Sequence, residues 1–121
     1  MIKIRHALES DSVKVQVLLI QLGYSAKLEF ISQRLRTMRH RRWDSVLVAD
    51  LNDEVVGVIS LHVLDLFHEP GRLGRITSLV VSDAHRGEGI GELLVDAADR
   101  WFIKQNCLRA EVTSALHRES A

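Results

Sequence analysis

The chain has 121 residues, 46% of them hydrophobic and 26% charged, with 16 lysines and arginines balanced by 16 aspartates and glutamates. That length supports one domain around a single core, and a net charge of zero supplies no global field for nucleic acid or an anionic membrane, so neither partner is expected. One cysteine, Cys107, excludes an internal disulfide, and the six histidines are scattered without ligand spacing, so no metal is expected. The longest apolar run, Val15 to Leu22, is far short of the roughly 20 residues that cross a bilayer. The start, Met1-Ile2-Lys3-Ile4-Arg5, lacks signal-peptide form, and a cytoplasmic protein is expected.

Ile2 and Ile4 alternate with polar neighbours as a short strand does. Ser10 or Asp11 can cap a helix on which Val13, Val17 and Ile20 share a face, and which ends at Gly23. A second helix is predicted from Ala26 to about His40, with Leu28, Ile31, Leu35 and Met38 facing inward. Arg34, Arg36, Arg39, His40, Arg41 and Arg42 cluster at its end, where cations favour the negative pole of the helix dipole. Val46 to Ala49, the Asn52-Asp53 turn and Val55 to Leu61 predict a hairpin. Asp65 to Leu73, holding the only proline, Pro70, is a loop before a strand at Ile76 to Val81.

That strand runs into Arg86-Gly87-Glu88-Gly89-Ile90-Gly91 and then into a helix whose Ile90, Leu93, Leu94, Ala97, Ala98 and Trp101 form an apolar stripe. The first turn of a helix carries unpaired N–H groups and a partial positive charge, so a glycine-rich turn headed by arginine is an anion cradle. A dinucleotide fold would space its glycines as Gly-x-Gly-x-x-Gly at an early strand, and a triphosphate loop would require Gly-Lys-Ser or Gly-Lys-Thr. Neither pattern is present; a plain turn is the remaining alternative. Cys107 follows the helix as a packed thiol, and a further strand is predicted at Glu111 to Ser114. Trp43 and Trp101 suit core or edge positions, and Asp96 and Asp99 the wet side of the helix. The order of elements predicts an α/β chain with a mixed sheet and helices on both faces.

The segment Arg86-Gly87-Glu88-Gly89-Ile90-Gly91 resembles motif A of the GCN5-related N-acetyltransferases, Arg/Gln-x-x-Gly-x-Gly/Ala, with Ile76 to Val81 placed as that family's fourth strand and Glu111 to Ser114 as its fifth. Leu116 to Ala121 resembles the approach to the next helix. The resemblance implies the family's mostly antiparallel mixed sheet and acetyl-CoA as co-substrate. It further implies that Leu79, Val80, Val81, Arg86, Gly87, Glu88, Gly89, Ile90 and Gly91 hold the coenzyme, strand backbone pairing with pantetheine and the turn with pyrophosphate. The partner is then an amine acceptor on a small molecule or a protein; a non-catalytic acyl-CoA-binding or regulatory module is the alternative. The arginine cluster gains a second reading, contact with an acidic acceptor or with the adenosine 3′-phosphate.

Relatives commonly carry a glutamate base on the fourth strand, whereas Gly74 to Val81 contains no carboxylate. Glu111, His62 and Glu69, with His68, remain as candidates, directly or through water. The tyrosine that relatives place after the fifth strand as the acid has no counterpart here; Tyr24, the only tyrosine, suits a lid or the acceptor pocket. The resemblance thus implies a domain shortened at its C-terminus, without the last helix and two strands, and pairing with a second copy through the exposed sheet edge is expected.

Overall fold

A computed structural model describes residues 1–112. The elements are β1 (Ile2–His6), α1 (Ser12–Leu22), α2 (Leu28–Met38), β2 (Asp44–Leu51), β3 (Glu54–Asp65), β4 (Arg72–Val81), α3 (Ile90–Lys104) and β5 (Cys107–Val112), with 3-10 turns at Glu9–Asp11 and Asp83–His85. The strands lie in the order β1-β2-β3-β4-β5. All neighbours are antiparallel except β4 and β5, whose parallel pairing follows from the α3 crossover between them.

The hairpin forms where it is predicted. Asn52 and Asp53 both take positive φ, 51° and 73°, the combination of a two-residue turn matched to strand twist. The Asp50 carboxylate accepts the Asp53 N–H at 2.8 Å and fixes that turn. Alternation along the strands then divides the core. Leu47, Ala49, Ile59, Leu61, Val63 and Ile76 pack under α3 with Ile90, Leu94, Ala98 and Phe102. Val48, Val58 and Val80 pack on the other face against Val15 and Leu18 of α1 and Ile31 and Leu35 of α2. Each fully buried valine, leucine, isoleucine or phenylalanine among them contributes about 1.5–3 kcal/mol relative to an exposed one. Gly74 lets α3 approach the sheet, since a Cβ there would sit 2.6 Å from Cδ1 of Phe102.

Several expectations about helix faces are corrected. Val13, Val17 and Ile20 share a face of α1, but it is the exposed one, at 57%, 56% and 55%. Seven of the eleven positions of α1 are apolar and lie on more than one side of the helix, so two stripes compete, and the sheet takes Val15 and Leu18. Asp11 occupies the cap position of α1 without a capping bond; its carboxylate turns back to the Leu8 N–H at 2.7 Å and to Arg5. Helix α2 is shorter than predicted, and Leu28 in its first turn is exposed while Ile31, Leu35 and Met38 are buried. On α3, Leu93 faces outward and Phe102, unmarked in the sequence reading, enters the core. The hairpin's second strand and β4 extend beyond their predicted limits, shortening the loop around Pro70 to residues 66–71.

Strand β5 begins at Cys107, four residues before the predicted start, and Thr113, Ser114 and the Leu116 to Ala121 segment lie outside the described residues. Its pairing with β4 runs from Arg72↔Cys107 to Ile76↔Val112. Among the described residues, Ser78 to Val81 therefore pairs with β3 on one side and carries no strand on the other. Among these residues no helix is long and apolar enough to cross a membrane.

Candidate functional site

The part of β4 that has no second neighbour among the described residues leads directly into the glycine turn. Ser82 N–H donates to Val56 O at 2.8 Å, ending the strand, and Gly87 and Gly89 take φ of 82° and 81°, in the left-handed region that side chains disfavour. Gly89 is the N-cap of α3, and no side chain caps that end. A Cβ at either glycine would meet nothing within 4 Å. The result is a recess of about 260 Å³ lined by Leu79, Val81, His85, Arg86, Gly87, Gly89, Ile90 and Gly91. First-turn amides and the helix dipole favour negative charge at such a position.

Two residues expected in that cradle stand apart from its lining. Val80 is wholly buried on the α1 and α2 side, and Glu88 pairs with His85 Nδ1 at 3.1 Å. Arg86 reaches Asp83 at 3.1 Å. Gln21 of α1, absent from the sequence reading, holds the strand-to-turn junction: its Nε2 donates to Val81 O at 2.7 Å and its Oε1 accepts the Asp83 N–H at 3.0 Å. A glutamine set among Leu19, Ile20 and Leu22 near the end of α1 is the signal that could have marked it.

A second, larger recess of about 660 Å³ takes in Thr77 and Ser78, which precede Leu79 of the first along β4. Leu19, Tyr24, Ser25, Ala26, Lys27 and Phe30 close one side, and Ser60, Thr77 and Ser78 the other. Tyr24 reaches it because Gly23 ends α1 with backbone bonds from Gly23 N to Ile20 O and from Tyr24 N to Leu19 O, turning the chain across the sheet. The register of β3 and β4 shifts between Ser60↔Ser78 and Leu61↔Ile76, leaving Thr77 as a bulge. The bulge re-aims the strand so that adjacent hydroxyls, Thr77 Oγ1 and Ser78 Oγ, both lie 2.6 Å from Ser60 Oγ.

The candidate bases separate clearly. His62 sits one step along the same face, its Nδ1 2.8 Å from Asp44 Oδ1 and its Nε2 2.9 Å from Thr77 Oγ1. Glu111 is held by Arg75, its register partner, on a stripe that crosses the sheet as Asp44, His62, Arg75 and Glu111. Glu69 binds Arg109 at 3.2 Å, with His68 at 3.6 Å, near the start of β4 and away from the turn. Burial pushes the Cys107 thiol up, which suits the packed role expected of it. Of the arginine cluster, Arg39, Arg41 and Arg42 line a separate cavity of about 300 Å³ with His6, Ser45 and Trp101, sharing no residue with the glycine recess. Among the described residues no cluster of three histidine, cysteine or acidic side chains could hold a metal ion.

The profile of the acetyltransferase (GNAT) family matches residues 18–121. The chain belongs to that family. It is 30% identical to an aminoalkylphosphonate N-acetyltransferase of Salmonella typhimurium over 98% of this chain and 78% of the relative. Its fold is similar to that of a glucosamine-6-phosphate N-acetyltransferase from Arabidopsis thaliana, with a TM-score of 0.84 at 21% identity, covering 99% of this chain and 89% of that one. An aminoglycoside N-acetyltransferase solved with CoA also reaches 0.84 at 12% identity, covering 99% and 84%. The mixed sheet with one parallel pair and helices on both faces is therefore a GNAT fold, as the glycine motif implies.

Proposed function

We propose that this chain transfers the acetyl group of acetyl-CoA to the primary amine of a small molecule. The observation that carries the reading is the start of α3, without a side-chain cap among the described residues, behind the left-handed Gly87 and Gly89 and adjoining the part of β4 that has no second neighbour among those residues. An extended pantetheine arm fits that edge as an added strand, with Leu79 and Val81 beside it, and the pyrophosphate fits the first-turn amides beside Arg86 and Gly91. Gln21 holds the two segments in register.

The hydroxyl-lined recess next to Ser78 is the place for the acceptor, with Tyr24 and Phe30 over it. Lys27 on its rim and the aminoalkylphosphonate N-acetyltransferase relative favour an acceptor that carries an anionic group as well as its amine. Titration calorimetry with acetyl-CoA, followed by thiol release with aminoalkylphosphonates, neutral alkylamines and peptide amines, tests this. Binding followed by turnover of the anionic amines is expected. Absence of heat and of any thermal shift refutes the coenzyme site, and binding without thiol release refutes catalysis.

A further inference from the structure

The acceptor recess ends in a line of five polar side chains. Asp44 Oδ1 and His62 Nδ1 are 2.8 Å apart, His62 Nε2 and Thr77 Oγ1 2.9 Å, Thr77 Oγ1 and Ser60 Oγ 2.6 Å, and Ser60 Oγ and Ser78 Oγ 2.6 Å. A carboxylate only accepts, so neutral His62 carries its proton on Nδ1 and offers the Nε2 lone pair. Thr77 then donates to His62, Ser60 donates to Thr77, and Ser78 donates to Ser60. One fixed acceptor at Asp44 thus orients every hydroxyl in the line and turns an acceptor lone pair of Ser78 toward the recess.

We propose that Ser78, Ser60, Thr77 and His62, with Asp44 behind them, form a one-way proton relay that accepts the proton of the incoming ammonium and replaces the carboxylate base missing from β4. The inference rests on the acetyl-transfer reading. The substrate nitrogen gives one proton to Ser78, each hydroxyl passes its own proton along, and His62 Nε2 receives one. Asp44 stabilises the imidazolium, which later releases that proton to solvent. The freed amine lone pair forms the C–N bond to the thioester carbonyl. As the intermediate collapses the C–S bond breaks, and the second proton lost by nitrogen goes to the departing sulfur.

Other charges bear on His62. Arg75 is its partner on β4, with Glu111 beyond on β5; Arg41 lies 3.5 Å from Asp44, and Lys27 lines the opposite wall of the recess. Of these charges, the Asp44 carboxylate, 2.8 Å from Nδ1, is the one in direct contact with the ring.

The test uses the full chain, acetyl-CoA and aminoethylphosphonate across a pH series, with nitrogen-resolved NMR of the imidazoles beside it. His62→Gln and Thr77→Val are expected to lower kcat about a hundredfold at neutral pH and to remove the single-proton acidic limb of the profile. Apparent affinity for acetyl-CoA stays within about twofold of wild type. Thr77→Ser retains the limb, and imidazole partly restores His62→Ala. In the resting protein, NMR finds neutral His62 protonated on Nδ1. Wild-type kcat in Thr77→Val, an unchanged limb in His62→Gln, or a proton on Nε2 overturns the relay. Failure of wild type to acetylate any amine counts against the acetyl-transfer reading instead, and the tautomer still judges the relay.

Discussion

Replacing Gly89 separates backbone strain from charge at the proposed anion cradle. Gly89 has φ of 81°, and a Cβ built there meets nothing within 4 Å, so a side chain is accommodated without displacing protein atoms. An L-residue in the left-handed region costs about 1–2 kcal/mol, less for asparagine or aspartate. Gly89→Asn and Gly89→Asp carry nearly the same strain and volume and differ by one negative charge. With a pyrophosphate of two charges about 6 Å away and an effective dielectric of about 40 at this exposed turn, the added repulsion is about 3 kcal/mol, or about a hundredfold in Kd. Paired calorimetric titrations with acetyl-CoA and urea unfolding measure the two effects. Equal stability of the two variants is expected, with affinity falling a few fold for Asn and about a hundredfold more for Asp; added salt should narrow that gap. Equal affinities for the two variants would refute placement of the pyrophosphate at this turn.

Gln21→Ala removes both bonds that hold the end of β4 to the turn, at 2.7 and 3.0 Å; a stability loss of about 1–3 kcal/mol in urea unfolding should accompany weaker coenzyme binding, and intact affinity would show that the junction needs no clamp. Gly74→Ala puts a Cβ 2.6 Å from the Phe102 ring, and a loss of about 1–3 kcal/mol in the same assay is expected. Arg5 binds Asp11 at 2.9 Å and Asp50 at 3.0 Å. Burial pushes the Asp11 carboxyl up, but hydrogen bonds from Arg5 and from the Leu8 amide overcome it and hold the group below the ordinary 3.8. The Arg5 bond likewise lowers Asp50. Near that pH the unfolded chain binds more protons, so this stabilisation is complete above 3.8 and lost as pH falls through the folded values. Asp11→Asn should flatten the fall in unfolding free energy below that pH, and an unchanged slope would exclude Asp11 from the acid transition.

Features carried by neighbouring residues were readable along the chain. The glycine turn, the Asn52-Asp53 hairpin and the apolar spacing of α3 depend on local φ preferences and on helical or strand period, which a few consecutive residues specify. Orientation among competing local solutions was not readable: α1 offers an apolar stripe on either side, and only packing against Val58 and Val80 selects Val15 and Leu18 over Val13, Val17 and Ile20. The proposed acid-base chemistry lies further from the local chain. His62 was one of several scattered candidates, and nothing near it in the sequence distinguished it from Glu69 or Glu111. Sheet register joins it to Asp44, 18 residues before it, and to Thr77, 15 residues after it, and a bulge aims two adjacent hydroxyls at Ser60. Backbone conformation is a short-range property of the chain, whereas the partners of a polar side chain are set by which strands lie side by side.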